Sequence, residues 1–212
     1  MIESTDPYTY PGTSVLRNLR GIRDTRILAR YEAESTTRRI AELINAPVPG
    51  RFDIDHLKAI HKHIFQDVYS WAGEFRTVNI SKGGQLFGAA AFVDPALRGL
   101  LQQLPGENYL KARDGKAFAA RAGFYLGEIN AVHIFRDGNG RAQREFVRSL
   151  GRKAGFAIDW SRVTRDQMIA ASRESFETGD NSGLAALIRT SIRCENRSQQ
   201  HSRHDCCQDV RE

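Results

Sequence analysis

Cysteine is nearly missing from this chain: of 212 residues only Cys194, Cys206 and Cys207 carry a thiol, all close to the C-terminal end. No disulfide framework can therefore hold the body together, which implies a reducing compartment. Long apolar runs are missing too, since none approaches the roughly 20 residues that a membrane span needs. The opening MIESTDPYTYPG has neither the basic nor the apolar segment of a secretory signal, so a cytosolic place of work is expected. Internal repeats and long low-complexity linkers are likewise lacking, and the length suits one domain with a tail. The body is expected to span residues 1–192. Residues 193–212 read as a polar, aperiodic and disordered tail.

Charge is present in one sign's favour, with a formal net charge of +6. Arg17, Arg20, Arg23, Arg26, Arg30, Arg38 and Arg39 recur every three to four residues over part of this stretch, which places several on one helical face. No aromatic interleaving or nucleic-acid motif accompanies them. A solvated helix face, or one meeting an acidic protein, is expected rather than direct nucleic-acid binding.

Apolar spacing and start signals give a mostly helical chain with very little strand. A first helix is expected from about Asp24 to Ile44, stopped by Pro47, Pro49 and Gly50. Asp53 reads as the N-cap of a second helix carrying Ile54, Leu57, Ile60, His61, Ile64 and Phe65 on one stripe, with His56 and His63 pointing elsewhere. Its histidines lack the i,i+4 spacing of a helical zinc pair and read as core or surface residues. The stretch from Arg76 to Phe87, turning at Lys82-Gly83-Gly84, reads as a small hairpin. Asp94-Pro95 has the pattern of a cap and first helical residue. A long helix then ends near Val132, a turn covers His133–Gly140, and a helix follows from Arg141 to about Lys153. Two more are expected near 164–176 and 182–192.

The chemistry concentrates in His133-Ile134-Phe135-Arg136-Asp137-Gly138-Asn139-Gly140-Arg141-Ala142-Gln143-Arg144. Glycines flanking an asparagine at a helix start let backbone N–H groups converge, and the positive end of the helix adds to them, which makes an anion site suited to phosphate. Arg141 and Arg144 lie three apart and can reach one polyphosphate. Asp137 would repel bare phosphate, a conflict that a bridging Mg²⁺ resolves. His133 is the nearby group whose ordinary pKa lies near neutrality, so it is the candidate general base. Phe135, apolar among polar neighbours, reads as the anchor of the loop.

This string resembles the motif of the Fic family, HPFx[DE]GNGRxxR, at every position but one: Ile134 stands where the family usually has proline. The departure leaves the chemistry untouched but removes a fixed φ from the loop. Trp71-Ala72-Gly73-Glu74-x-Arg76 and Asn79-Ile80-Ser81-Lys82-Gly83-Gly84 resemble the family's flap, which lines up a target segment by strand addition. The N-terminal Asp6-Pro7-Tyr8-x-Tyr10-Pro11-Gly12 and the late Ile158-Asp159-Trp160 are similar to Fic toxins, so the likeness covers about residues 6–192.

The resemblance implies an all-α Fic fold with a β-hairpin flap, and a protein adenylyltransferase. Such an enzyme moves AMP from Mg-ATP to a Tyr, Thr or Ser hydroxyl of a target protein. His133 would be the catalytic base and Asp137 the Mg²⁺ ligand. Gly138, Asn139, Gly140, Arg141, Arg144 and Lys82 would bind nucleotide, and Asn79, Ile80, Ser81, Lys82 and Gly83 would position the target. It further implies the toxin of a bacterial toxin–antitoxin pair, with a type II topoisomerase subunit as target, acting in its own cytosol or delivered into that of another cell. Doc-like phosphotransfer is the alternative, although that branch carries lysine where Gly140 stands. A non-catalytic nucleotide sensor is another. Control in this family comes from an [ST]xxxE[GN] helix whose glutamate pairs with the second motif arginine. Ser191 to Asn196 matches that pattern, but it abuts the last core helix, so a separate small helical antitoxin is expected. Cys194, His201, His204, Cys206 and Cys207 lack a paired CxxC, and no zinc site is expected in the tail.

Overall fold

The computed structural model describes residues 6–82 and 85–193, which group into two compact units. The first contains residues 6–98 and 132–145, and the second contains residues 99–131 and 146–193.

In the first unit, α1 (Thr25–Asn45) starts where Asp24 Oδ1 accepts the N–H groups of Arg26 and Ile27 at 2.8 and 2.9 Å, which satisfies donors the helix cannot pair internally. Asp53 does the same for α2 (Ile54–Phe65), accepting from His56 N–H at 2.9 Å. Leu57, Ile60, His61, Ile64 and Phe65 are buried along α2. His56, expected off that stripe, also turns inward: its Nδ1 accepts the Phe52 N–H at 3.3 Å and its Nε2 donates to the Val48 carbonyl at 3.0 Å. The chain before α2 folds over this ring, a tertiary choice that helical periodicity does not record. The arginine stripe is largely paired within the unit. Arg39 grips the Asp67 carboxylate with two nitrogens at 2.7 and 2.8 Å, Arg38 reaches it at 2.9 Å, and Arg17 and Arg23 lie over the Tyr10 ring.

The hairpin is present but minimal, with β1 (Ser81–Lys82) antiparallel to β2 (Gln85–Leu86). The residues from Arg76 to Ile80 do not join the ladder, and the Arg76 side chain is drawn into the interior. A 3-10 turn at Ala90–Phe92 then leads into α3 (Val93–Leu101). The helix therefore begins before the expected cap. Asp94 sits in its first turn and pairs with Arg98 at 2.9 Å instead of capping.

In the second unit, α4 (Gln103–Gly106) is followed by a stretch in which Asn108, Tyr109, Leu110 and Ala112 all take positive φ. Glu107 anchors this stretch, accepting from Arg121 at 2.6–2.8 Å and from the Tyr125 hydroxyl at 2.7 Å, both on α5 (Gly115–Val132). Gly127 on α5 faces Ser175 and Asn181 so closely that a Cβ there would overlap both side chains. The close approach lets α5 seat against α7 (Arg165–Thr178) and α8 (Ser182–Ser191). Thr164 and Gln167 form a reciprocal capping box on α7. Helix α6 (Asn139–Ala154), whose opening turns belong to the first unit, starts at Asn139, two residues before its expected origin.

The hairpin is not the sole sheet. β3 (Ala157–Ile158) pairs antiparallel with β4 (Ile192–Arg193), and Arg193 also binds Asp159 at 2.7 Å. Paired chain thus continues one residue past the expected boundary at 192. Ser191, the first residue of the [ST]xxxE[GN] match, is buried at the end of α8, and the two residues after it are extended. Glu195, Asn196 and the Cys/His tail residues lie outside the described residues.

Candidate functional site

The site is built where α5 ends and α6 begins. His133 leaves the helix with φ +49, a left-handed backbone that a residue with a Cβ rarely adopts. Its imidazole is half-buried and stacks on the Phe87 ring at 3.9 Å and 19°. Ile134 and Phe135 plunge into the core. Ile134 fills an apolar position in place of the family's proline, and its carbonyl accepts the Arg76 N–H at 3.0 Å.

Phe135 stacks at 3.7 Å on His61, a fully buried ring whose two nitrogens are both used. His61 Nδ1 accepts the Gly73 N–H at 2.9 Å, and its Nε2 donates to the Asp137 carbonyl at 3.0 Å. This pairing requires the neutral Nε2–H tautomer, and burial pushes the pKa down to about 4.

Asn139, expected among the nucleotide-binding residues, uses its side chain within the loop. It is buried and clamps the loop, with Oδ1 accepting the Phe135 N–H and Nδ2 donating to the Phe135 carbonyl, both at 2.8 Å. Gly138 has φ +80, and a Cβ there would overlap the Phe65 ring, so only glycine suits the position. Its N–H is taken by Asp137 Oδ1 at 2.6 Å. The Gly138 carbonyl accepts from Arg141 and Ala142 at 3.1 and 3.2 Å. Of the three residues expected to cradle an anion, Gly138 has its N–H on Asp137, while Asn139 and Gly140 contribute the first N–H groups of α6, which have no intrahelical partners. Gly140 is exposed, and a Cβ there would meet only Arg144 Nη1 at 3.4 Å. Neither its φ nor its packing demands glycine.

The two motif arginines separate. Arg141 turns to α1, with Nη2 on Glu32 Oε1 at 2.6 Å and Nη1 on Thr36 Oγ1 at 3.2 Å, and lies over Phe65 at 4.6 Å. Glu32 also accepts the Tyr69 hydroxyl, and burial with this carboxylate raises the Tyr69 pKa well above its usual range. Arg141, expected to reach phosphate, has both terminal nitrogens engaged by α1, a neighbour remote in sequence. Arg144 stays beside Gly140.

Asp137 is half-buried, and its carboxylate has no bond to a protein group other than Gly138 N–H among the described residues. One carboxylate beside the N–H groups that open α6 is a donor set that suits Mg²⁺, which takes one or two protein oxygens and completes its shell with phosphate and water. No cluster of three His, Cys, Asp or Glu side chains suited to a metal occurs among the described residues.

In the flap, Asn79 Oδ1 accepts the Ala90 N–H at 2.9 Å, closing the base of the hairpin. The Phe87 N–H donates to the Ile80 carbonyl at 3.1 Å, and Ser81 is exposed on β1. The Lys82 side chain and Gly83 lie outside the described residues. Sequence reasoning left out Phe87, His61 as a loop support, Glu32, and Asp6, whose Oδ2 holds Arg136 of the motif at 2.7 Å. The signal available for Asp6 was its place in the N-terminal string already quoted. Glu32 had none.

The family model described as "Fic/DOC family" matches residues 51–150. The chain is 45% identical to the protein adenylyltransferase VbhT of Bartonella schoenbuchensis over 89% of its own length, and it spans 39% of that longer relative. It is 39% identical to the "probable protein adenylyltransferase y4lH" of Sinorhizobium fredii, covering 88% of this chain and 96% of that one. Among solved structures, the BepC protein of Bartonella tribocorum with bound AMPPNP is similar at a TM-score of 0.83 and 27% identity, over 88% of this chain and 96% of that one. No helix among the described residues is long and apolar enough to cross a membrane. With a relative covered almost end to end at well over a third identity, and a helical fold shared with solved Fic structures, the chain belongs to the Fic/DOC family.

Proposed function

We propose that this chain is a protein adenylyltransferase, moving AMP from ATP to a Tyr, Thr or Ser hydroxyl of a target protein. The observation that carries the reading is the sequence of groups across one loop. A half-exposed imidazole at His133 is followed by the Asp137 carboxylate, and then by the Asn139 and Gly140 N–H groups at the start of α6. These supply a proton acceptor, a cation ligand and a phosphate cradle in that order. The relatives named as adenylyltransferases and the AMPPNP-bound neighbour support it.

In this reading His133 takes the proton of the target hydroxyl as its oxygen attacks the α-phosphorus. The bond from that phosphorus to the bridging oxygen breaks, and pyrophosphate leaves. Asn139 and Gly140 N–H groups hold phosphate oxygens, Arg144 faces the outer phosphates, and Asp137 would hold Mg²⁺, which would supply neutralisation of phosphate charge. Arg141 holds the loop on α1 through Glu32 and Thr36. The exposed β1 edge aligns the target segment. Open space at Gly140 favours AMP transfer over the Doc-like reaction, because the lysine of that branch would occupy the cradle.

Control by a separate helical antitoxin, its glutamate set against Arg144, belongs to the same reading. It is supported by the extended course of Ile192 and Arg193, which does not continue a helix into the [ST]xxxE[GN] match.

Incubated with α-³²P-ATP and cell lysate, the wild-type chain should label a protein, and His133→Ala should cut the rate by about 10²–10⁴-fold. Labelling from γ-³²P-ATP alone would replace this reading with phosphotransfer. Glu195→Gly should change the rate little, whereas strong activation would place control within the chain.

A further inference from the structure

Arg76 is among the largest side chains fully removed from solvent, at 2% exposure, and no carboxylate faces it among the described residues. A buried cation without a counter-ion is costly, and here carbonyl dipoles alone surround the charge. Nε donates to the His133 carbonyl at 2.7 Å, Nη1 to Val78 at 2.8 Å, and Nη2 to Gly88 and, at 3.4 Å, to Val132. Its own backbone N–H binds the Ile134 carbonyl at 3.0 Å. Burial lowers its pKa, yet an arginine starts so high that it stays charged.

The acceptors fall into two sets. Val132, His133 and Ile134 carry the candidate base out of its helix. Val78 and Gly88 are the two feet of the hairpin, outside the β1–β2 ladder on either side. We propose that Arg76 is a positioning residue that fixes the flap and the His133 backbone as one rigid unit, setting the distance between the target hydroxyl and the base. The Phe87–His133 stack and the Ile80–Phe87 hydrogen bond lie between the points it ties, so both inherit their geometry from this guanidinium. Only the planar five-donor fork reaches both sets at once. A lysine ammonium has three donors on one atom and cannot span them. The inference rests on the proposed base role of His133, and it makes a claim about the flap that holds without it.

The test uses Arg76→Lys and Arg76→Ala in the full chain, the latter with and without methylguanidinium. Arg76→Lys should keep its fold and its affinity for ATP, because the cradle at Asn139 and Gly140 is not among the groups Arg76 touches. Its kcat for protein labelling should fall by about 100-fold, the scale of an ångström-sized misplacement. Methylguanidinium should restore part of the rate to Arg76→Ala. If Arg76→Ala does not fold, Arg76→Lys decides. Amide exchange gives a second readout: the Phe87 N–H should exchange faster in Arg76→Lys, whereas the buried amides of α2 should not. Wild-type kcat in Arg76→Lys, or a rate loss explained wholly by weaker ATP binding, would overturn the proposal. If the wild-type chain transfers no AMP, the proposed function fails, and Phe87 exchange then judges the tie alone: unchanged protection in Arg76→Lys would refute it.

Discussion

Gly138 and Gly140 look alike in the motif but are glycine for different reasons. At Gly138 the backbone is left-handed and the Phe65 ring occupies the space a Cβ would need. Gly138→Ala should cost more than 1 kcal/mol, the order expected when strain and overpacking coincide, visible as a lower midpoint in urea unfolding. Gly140→Ala should leave that midpoint within about 0.5 kcal/mol, since nothing approaches nearer than Arg144 Nη1, and should act instead on nucleotide affinity. Equal destabilisation by both would refute the division. The grouping of His133, Asp137 and Gly140 was legible at this scale because adjacency in sequence alone keeps them together where the loop meets α6. The clamp formed by Asn139 and the turning of Arg141 to Glu32 were not, because each depends on a partner chosen by tertiary packing.

The second helix was legible because a cap and an apolar stripe coincide at Asp53, whereas the caps formed by Asp24 and Thr164 were not read from the sequence although their helices were expected. Ladders of two residues have no period to detect, so the pairing of Ala157–Ile158 with Ile192–Arg193 was invisible. That ladder sets where the paired chain ends. The Asp159 N–H bond to the Ser191 carbonyl at 2.7 Å survives in a chain ending at Ser191, but the ladder itself, the bond from Arg162 Nη1 to the Ile192 carbonyl at 3.2 Å and the Arg193–Asp159 pair do not. A chain ending at Arg193 should therefore melt above one ending at Ser191. The difference should be about 1–2 kcal/mol, the sum of a few net hydrogen bonds, with little from the exposed ion pair. Identical melting curves would mean that β4 contributes nothing to the body.

At the scale of the whole molecule, a net charge of +6 suggested a basic face. Asp67 answers Arg38 and Arg39 of that face, while Glu32, Glu107 and Asp6 pair with Arg141, Arg121 and Arg136 elsewhere, pairings that no linear reading of charge reveals. Global stability should be more sensitive to the histidines in mild acid. Burial lowers the pKa of His61 to about 4 and that of His56 in the same direction, while in the unfolded chain each titrates near its ordinary 6.5. Asp137 and Arg141 are the charges acting on His61, and their effects oppose one another. Between these pKa values the unfolded chain binds more protons, so stability is full above about pH 6.5 and falls as pH drops toward 4. From pH 7 to pH 5, His61 alone should remove about 2 kcal/mol, from a shift of roughly 1.5 units over that window. The depressed carboxylates Asp67, Glu107 and Asp159 lose their contribution only below their unfolded values near 4, so they do not compete in this range. Urea midpoints at pH 7, 6 and 5 should decline in the wild-type chain, with a slope roughly halved or better in a His61→Gln variant. A wild-type midpoint that is flat across the range, or a slope unchanged in His61→Gln, would show that His61 is not held neutral by the fold.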